Sequence, residues 1–140
     1  SLSAYGVGFH RHNSEIHQFL RKFTNKNFQF SFTPHLSPMF RGILSTIYLN
    51  LEKNVNQSKI IKTLKKCYKG EKFVKILDSD NLLSTNDVIN TNNCFITVCK
   101  SKYKNKIIII SAIDNLIKGG AGQAVQNLNN KFNFPEKTAL

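Results

Sequence analysis

The sequence predicts an α+β domain: a mostly antiparallel sheet with helices packed on one face. Three observations lead there. Stretches with apolar residues at helical spacing are separated by β-branched or alternating runs rather than repeating as regular βαβ units. Residues 94–113 read as two strands joined by a short polar turn. The elements run helix, strands, helix, strand, hairpin, helix, with no internal repeat and no low-complexity linker.

Taken in order, Ile16, Phe19, Leu20 and Phe23 fall at i, i+3, i+4 and i+7, one face of a helix. Asn13 is placed to cap it, and Glu15 sits in the first turn, where a carboxylate suits the positive end of the helix dipole. "FQFSF", residues 28–32, alternates apolar and polar and reads as a half-buried strand. Pro34 and Pro38 bracket a turn or edge segment. "GILSTIYLNLE", residues 42–52, is β-branched enough for a long strand.

Ser58 is the expected cap of a second helix, with Ile60, Ile61, Leu64, Cys67 and Tyr68 as its apolar stripe and Gly70 as its end. "FVKIL", 73–77, is a short strand, and 78–93 is a long polar loop that invites a functional reading. The hairpin turns near Lys104 and Asn105. Its run Ile107 to Ile110 does not alternate, so that strand is expected to be covered on both faces. A glycine-rich turn then leads into a last helix with Ala121, Ala124, Val125 and Leu128 inward.

Chain length and apolar content suit one folded domain: 140 residues, 41% hydrophobic. Lysine and arginine exceed aspartate and glutamate by 20 to 8, a formal charge of +12. The excess is spread along the chain without interleaved stacking aromatics, so no nucleic-acid partner is expected. Cys67, Cys94 and Cys99 are odd in number and lack the C-x-x-C spacing, which disfavours a disulfide framework and a zinc knuckle and suits a reducing compartment. No apolar run approaches the roughly 18 residues of a membrane span. The chain begins without methionine in what reads as ordered sequence, so a fragment of a longer protein is expected.

Three constellations carry chemistry. "AYGVGFHRHNSEIHQFL" holds His10, His12 and His17 beside Tyr5 and Arg11. On an extended segment His10 and His12 share a face and chelation is conceivable, but no acidic pair or thiol completes the sphere, so no metal is expected. A single imidazole acting as acid or base needs only a partner to fix its tautomer, which Tyr5 is placed to be. An ordinary wet helix start is the plain alternative. In "KGGAGQAVQN" the glycines before a helix let a ligand approach the backbone closely, though the pattern is not a dinucleotide fingerprint and a tight strand-to-helix turn explains it equally. In "FTPHLSPMFRGIL", Arg41 precedes a strand, where it can meet a carboxylate or phosphate or simply lie on the surface.

"SAYGV…HRHNSEI", "FTPHLSPMFRGIL" and "AIDNLIKGGAGQAVQN", in this order and spacing, resemble the C-terminal part of N-acetyl-gamma-glutamyl-phosphate reductases. The resemblance runs over nearly the whole chain. It implies the C-terminal domain of the glyceraldehyde-3-phosphate-dehydrogenase type, with residues 1–140 as a substrate and dimerisation domain lacking its nucleotide-binding half. It implies an NADPH-dependent reduction of N-acetyl-glutamyl phosphate to the semialdehyde in arginine biosynthesis, through a cysteine thioester, in a cytoplasmic homo-oligomer. His10 matches the family's acid/base residue and Tyr5 its supporting hydroxyl. Arg11 or Arg41 is then the holder of the substrate's carboxylate or phosphate. Lys118, Gly119, Gly120, Ala121 and Gly122 match the segment that returns toward the NADP nicotinamide. The nucleophile's proline-glycine-cysteine-tyrosine-proline motif is not in this chain, and none of the three cysteines replaces it. The chain also departs from the family pattern at Asn13 and Ser14, usually threonine and proline, and at Asn90, Thr91 and Asn92, usually glycine-serine-asparagine. The alternatives are an aspartate-semialdehyde-dehydrogenase-like enzyme, a stand-alone dimerisation or binding module without catalysis, and a basic polyanion-binding domain.

Overall fold

A computed structural model of the chain describes residues 1–78 and 80–140. It divides into two units, Ser1–Phe40 and Arg41–Leu140.

In Ser1–Phe40, strand β1 (Ser3–Ala4) pairs antiparallel with β2 (His35–Leu36). β2 falls between Pro34 and Pro38, the edge segment expected there. Between the strands lies helix α1 (His12–Arg21). Its cap position is Arg11, in helical geometry and with no side-chain cap, so Asn13 is inside the helix rather than its cap. The cause is upstream: the amides of Phe9 and His10 already bond to the Gly6 carbonyl and that of Asn13 to the His10 carbonyl, so the backbone turn itself satisfies the first donors.

"FQFSF" forms no strand. Its three phenylalanines are half-buried and the residues between them exposed, as the alternation requires, but Phe28, Phe30 and Phe32 pack against histidine rings instead of joining a ladder. The helical stripe predicted for α1 exists, yet Phe19 is 59% and Phe23 75% exposed, and they touch each other. No residue of this unit is buried.

Arg41–Leu140 is built on a four-stranded sheet in the order β3-β6-β5-β4. β3 (Ile43–Asn50) pairs antiparallel with β6 (Lys106–Ile113) over its full length, from Ile43 opposite Ile113 to Asn50 opposite Lys106. β6 forms the expected hairpin with β5 (Cys94–Lys100), and β4 (Val74–Ile76) adds in parallel to β5. Ile96, Thr97 and Val98 are all buried. Since successive strand residues point to opposite sides, β5 is covered on both faces. The loop after β4 supplies Leu83 and Val88, which pack with Ala112, Phe95 and Ile110. Helix α2 (Gln57–Cys67) packs against β4 and β5.

The cap of α2 is Asn56, whose side chain accepts the Lys59 amide at 2.9 Å; Ser58 is already in the first turn. Gly70, at φ +93°, turns the chain after the helix. In the isoleucine run only Ile107 is buried, and Ile108 to Ile110 are half-buried. The apolar pattern asks for more cover than the described residues supply.

The last helix, α3 (Gly122–Lys131), inverts its prediction. Its buried residues are Gly122, Gln126 and Asn129; of the four expected inward, Ala121, Ala124 and Leu128 are exposed and Val125 is half-buried. The polar side chains turn inward because the tail needs them: Gln126 donates to the Glu136 carboxylate at 2.7 Å, and Asn129 donates to the carbonyls of Glu136 and Thr138.

Candidate active site

His10 sits where the chain leaves a left-handed turn and enters α1. Gly6, at φ +57°, makes that turn, a conformation that L side chains rarely adopt. A Cβ on Gly6 would lie 3.0 Å from both Cβ and Cδ2 of His10, so the missing side chain is also what gives the imidazole its place.

The ring itself is half-buried and boxed. Tyr5 meets it edge to face, with ring centroids 5.3 Å apart at 75°. His12 lies at 4.8 Å and 78°, and Phe32 at 5.5 Å and 58°. Such edge contacts suit the ring quadrupoles and fix orientation. The hydrogen bond that fixes the ring comes from the His12 backbone N–H, which donates to His10 Nδ1 at 3.2 Å. The expected Tyr5 partnership is thus a ring contact, and the polar partner is a backbone amide. His12 also faces Glu15 at 4.0 Å, and His17 stacks on Phe28 and Phe30 rather than converging on His10.

Within Arg41–Leu140 the organising group is Asp114, which has no exposed surface. Sequence reading passed it over, although a carboxylate ending a strand and followed by asparagine was a visible signal. Its Oδ1 accepts the amides of Leu116 at 2.8 Å and Ile117 at 3.0 Å, and its Oδ2 accepts that of Asn90 at 2.8 Å. Arg41 Nη1 lies 3.4 Å from Oδ2 and also donates to the Asn90 side chain. Burial alone would raise the carboxyl, but the three amides and the guanidinium outweigh it and hold Asp114 below its ordinary value. Asn115 accepts the Gly42 amide at 2.6 Å. Arg41 is therefore held inside a network that joins the start of β3, the 90–93 loop and the turn after β6. Asn90, where the family pattern has glycine, takes φ +61°, a region asparagine tolerates.

The 118–122 segment is a wide helical turn, Ile117–Ala121, running directly into α3. Its members differ in what they offer. Lys118 turns inward: its ammonium donates to Gln126 Oε1 at 2.7 Å and lies 5.4 Å over the Phe73 ring. Burial lowers its pKa, partly offset by Cys94, Glu136 and Glu71. Gly122 is a packing glycine, since a Cβ there would fall 2.5 Å from Asn92 Oδ1 and 2.8 Å from the Ile117 carbonyl. Gly119, Gly120 and Ala121 are exposed, and Gly120 takes φ −150°, ψ −110°, a geometry outside the ordinary helix. The amides of Gly119 and Ala121 bond back to the carbonyls of Asp114 and Leu116.

Residues 1–115 match the family model described as "Semialdehyde dehydrogenase, dimerisation domain". The chain belongs to that family. It is similar over its whole length to the N-acetyl-gamma-glutamyl-phosphate reductase of Desulforamulus reducens, at 47% identity and covering 40% of that protein. It is also 44% identical, over 99% of its length and 35% of the relative's, to the probable chloroplastic N-acetyl-gamma-glutamyl-phosphate reductase of Arabidopsis thaliana. The chain thus spans about two fifths of the length of the curated relatives it matches. Among solved structures, aspartate semialdehyde dehydrogenase from Francisella tularensis superposes with a TM-score of 0.54 at 18% identity, covering 77% of this chain and 31% of that one. That likeness concerns the fold, which agrees with the α+β architecture expected from the sequence. Among the described residues, no helix is long and apolar enough to cross a membrane.

Proposed function

We propose that residues 1–140 are the C-terminal substrate and dimerisation domain of an NADPH-dependent reductase that converts N-acetyl-glutamyl phosphate to N-acetylglutamate semialdehyde and phosphate in arginine biosynthesis. The observation that carries this reading is similarity along the whole of this chain, at 43–47% identity, to part of relatives named for that activity. The boxed imidazole of His10 supports it from the side of chemistry.

In this reading the nucleophilic cysteine and the nucleotide fold belong to the remainder of the enzyme. When bound, NADPH supplies hydride to the acyl carbon. His10 presents its free edge to the oxygen of that carbonyl, and Tyr5, His12 and Phe32 keep the ring from tilting away. Arg11 is the better candidate for the substrate's carboxylate or phosphate, because Arg41 is held by Asp114 and Asn90. Gly119, Gly120 and Ala121 offer the backbone that faces the dinucleotide, with Lys118 and Gly122 holding that turn from behind. A homo-oligomer follows from β3, an edge strand whose Ile47 and Tyr48, neighbours on opposite faces, are 42% and 72% exposed. The setting is taken as cytoplasmic, with a small acyl phosphate as substrate and neither nucleic acid nor membrane as partner.

The test is to assay the full-length protein for NADPH oxidation with N-acetyl-glutamyl phosphate and with aspartyl phosphate, alongside residues 1–140 alone. Turnover of the first substrate only, and none by the 140-residue chain, is expected. Preference for aspartyl phosphate, or turnover by the chain alone, would overturn the reading.

A further inference from the structure

The 90–93 loop does more than join the Asp114 network. With the start of β4 and the tail after α3 it walls a cleft of about 530 Å³, all within Arg41–Leu140. That volume lies in the range of small-molecule sites.

Three lysines line the cleft: Lys72 just before β4, Lys75 within it and Lys137 from the tail. Only the fold gathers them. Among the described residues none of the three pairs with a carboxylate. The neighbouring acids do not answer the charge. Glu71 lines no part of the cleft, and Glu136 accepts from Gln126 Nε2 at 2.7 Å. Lys75 lies 5.2 Å over the Phe95 ring, a contact that leaves its three N–H donors unused.

The 90–93 side is polar and held in place. Asn92 is buried and donates to Gln126 Oε1 at 2.9 Å, which ties the loop to α3. Thr91 donates to the Val88 carbonyl and accepts the Asn93 amide. The Asn93 carboxamide is half-buried and has no protein partner among the described residues, so its N–H donors are also unused. A single exposed lysine gains little from an anion. Three like charges around one concavity, with a fixed neutral donor beside them, raise the local potential and suit a ligand with more than one negative charge.

We propose that this cleft binds a small polyanion, a molecule bearing two or more phosphate or carboxylate groups. Lys72, Lys75 and Lys137 are its cationic contacts and Asn93 its neutral donor. The site is distinct from the imidazole of His10, and its occupancy is read without turnover, so it stands or falls apart from the reductase reading.

The test is calorimetric titration of the full-length protein with pyrophosphate, with citrate and with acetate. NADPH is held at saturation, and salt at about 0.1 M so that weak surface attraction is screened. Pyrophosphate or citrate should bind saturably with a Kd of about 1 mM or tighter, and acetate should not saturate. The tighter of the two tells a phosphate ligand from a polycarboxylate. Lys72→Gln/Lys137→Gln should weaken binding by about tenfold or more. Lys102→Gln/Lys104→Gln removes the same charge from the hairpin turn and should leave binding unchanged. All four side chains are exposed, so both variants should melt with the parent. Amide exchange in 90–93 and 137–140 should slow when the probe binds.

Absence of saturable binding would overturn the inference, as it must if the rest of the protein fills the cleft. So would equal weakening in the two double variants, which is attraction to the overall charge of +12. Exchange that slows only outside 90–93 and 137–140 would overturn it too, by placing the probe elsewhere.

Discussion

In Ser1–Phe40 no residue is buried, and a histidine is positioned by ring edges, a glycine and one backbone N–H. In Arg41–Leu140 a packed sheet surrounds a carboxylate that collects three backbone amides and a guanidinium. The first arrangement leaves the imidazole half-buried and its own apolar stripe uncovered. The second spends its polar groups on holding backbone together. Chemistry and stability are therefore expected to separate by residue: changes around His10 should slow turnover with little effect on the sheet, and changes around Asp114 should do the reverse.

The largest effect expected is His10→Asn in the full-length protein. Turnover should fall by about two to four powers of ten, with a smaller effect on substrate binding. Amide exchange of β5 and β6 should not change. Turnover within threefold of the parent would remove His10 from the site.

Next is Asp114→Ala. Removing this buried acceptor takes the partner from three amides and the carboxylate from beside Arg41, a loss of about 3–5 kcal/mol. It should appear as faster amide exchange in β6 and the 90–93 loop of the full-length protein, but not in α1. The pH dependence has a definite sign. A carboxyl whose folded pKa is depressed stabilises fully above its unfolded value, near 3.8, and loses that contribution as pH falls through the lower folded value. Parent and Asp114→Ala should therefore differ by a constant amount at neutral pH and converge below about pH 4. A gap that stays constant down to pH 2 would show that the carboxylate is not the source.

Gly122→Ala tests the same region with a smaller step. The new methyl would press on the Ile117 carbonyl and on the Asn92 side chain, an overpacking cost of about 1–3 kcal/mol. The loss should register in α3 and β5 amide exchange. If instead dinucleotide binding weakens with stability unchanged, Gly122 belongs to the cofactor contact after all.

The two regions were unequally legible in the sequence. β3, the β5–β6 hairpin and α2 were readable because period, β-branching and turn residues are local, and tertiary packing agreed with them. The faces of α1 and α3 were not. Periodicity shows which side of a helix is apolar, but Leu128 and Phe23 remain exposed because nothing among the described residues covers them, while Gln126 and Asn129 are buried because the tail supplies their partners. At the site, His10 and Tyr5 stood out by residue type. Gly6, Phe32 and the His12 amide did not, since one acts by having no side chain, one by a ring eleven residues past the end of α1, and one through its backbone. The alternation of Phe28, Phe30 and Phe32 was the available signal, and its partner was an imidazole rather than another strand.

The finest version of the comparison lies within the turn that precedes α1, between two glycines of the same kind. Gly6 and Gly8 both have positive φ, +57° and +80°. An alanine at either position pays the left-handed penalty of about 1–2 kcal/mol. They differ in what the methyl meets. At Gly8 it meets nothing within 4 Å, whereas at Gly6 it meets Cβ and Cδ2 of His10 at 3.0 Å. Gly8→Ala should thus cost local stability and leave turnover near that of the parent. Gly6→Ala should cost a similar amount of stability and in addition push the imidazole away from its amide donor, lowering turnover by roughly tenfold, since 1.4 kcal/mol of lost alignment suffices for that. Exchange at the Phe9 and His10 amides, which both bond to the Gly6 carbonyl, reads the shared backbone cost. Steady-state turnover reads the part that belongs to Gly6 alone. Equal turnover losses in the two variants would mean that backbone strain, not the fit of the ring, is what the turn contributes to His10.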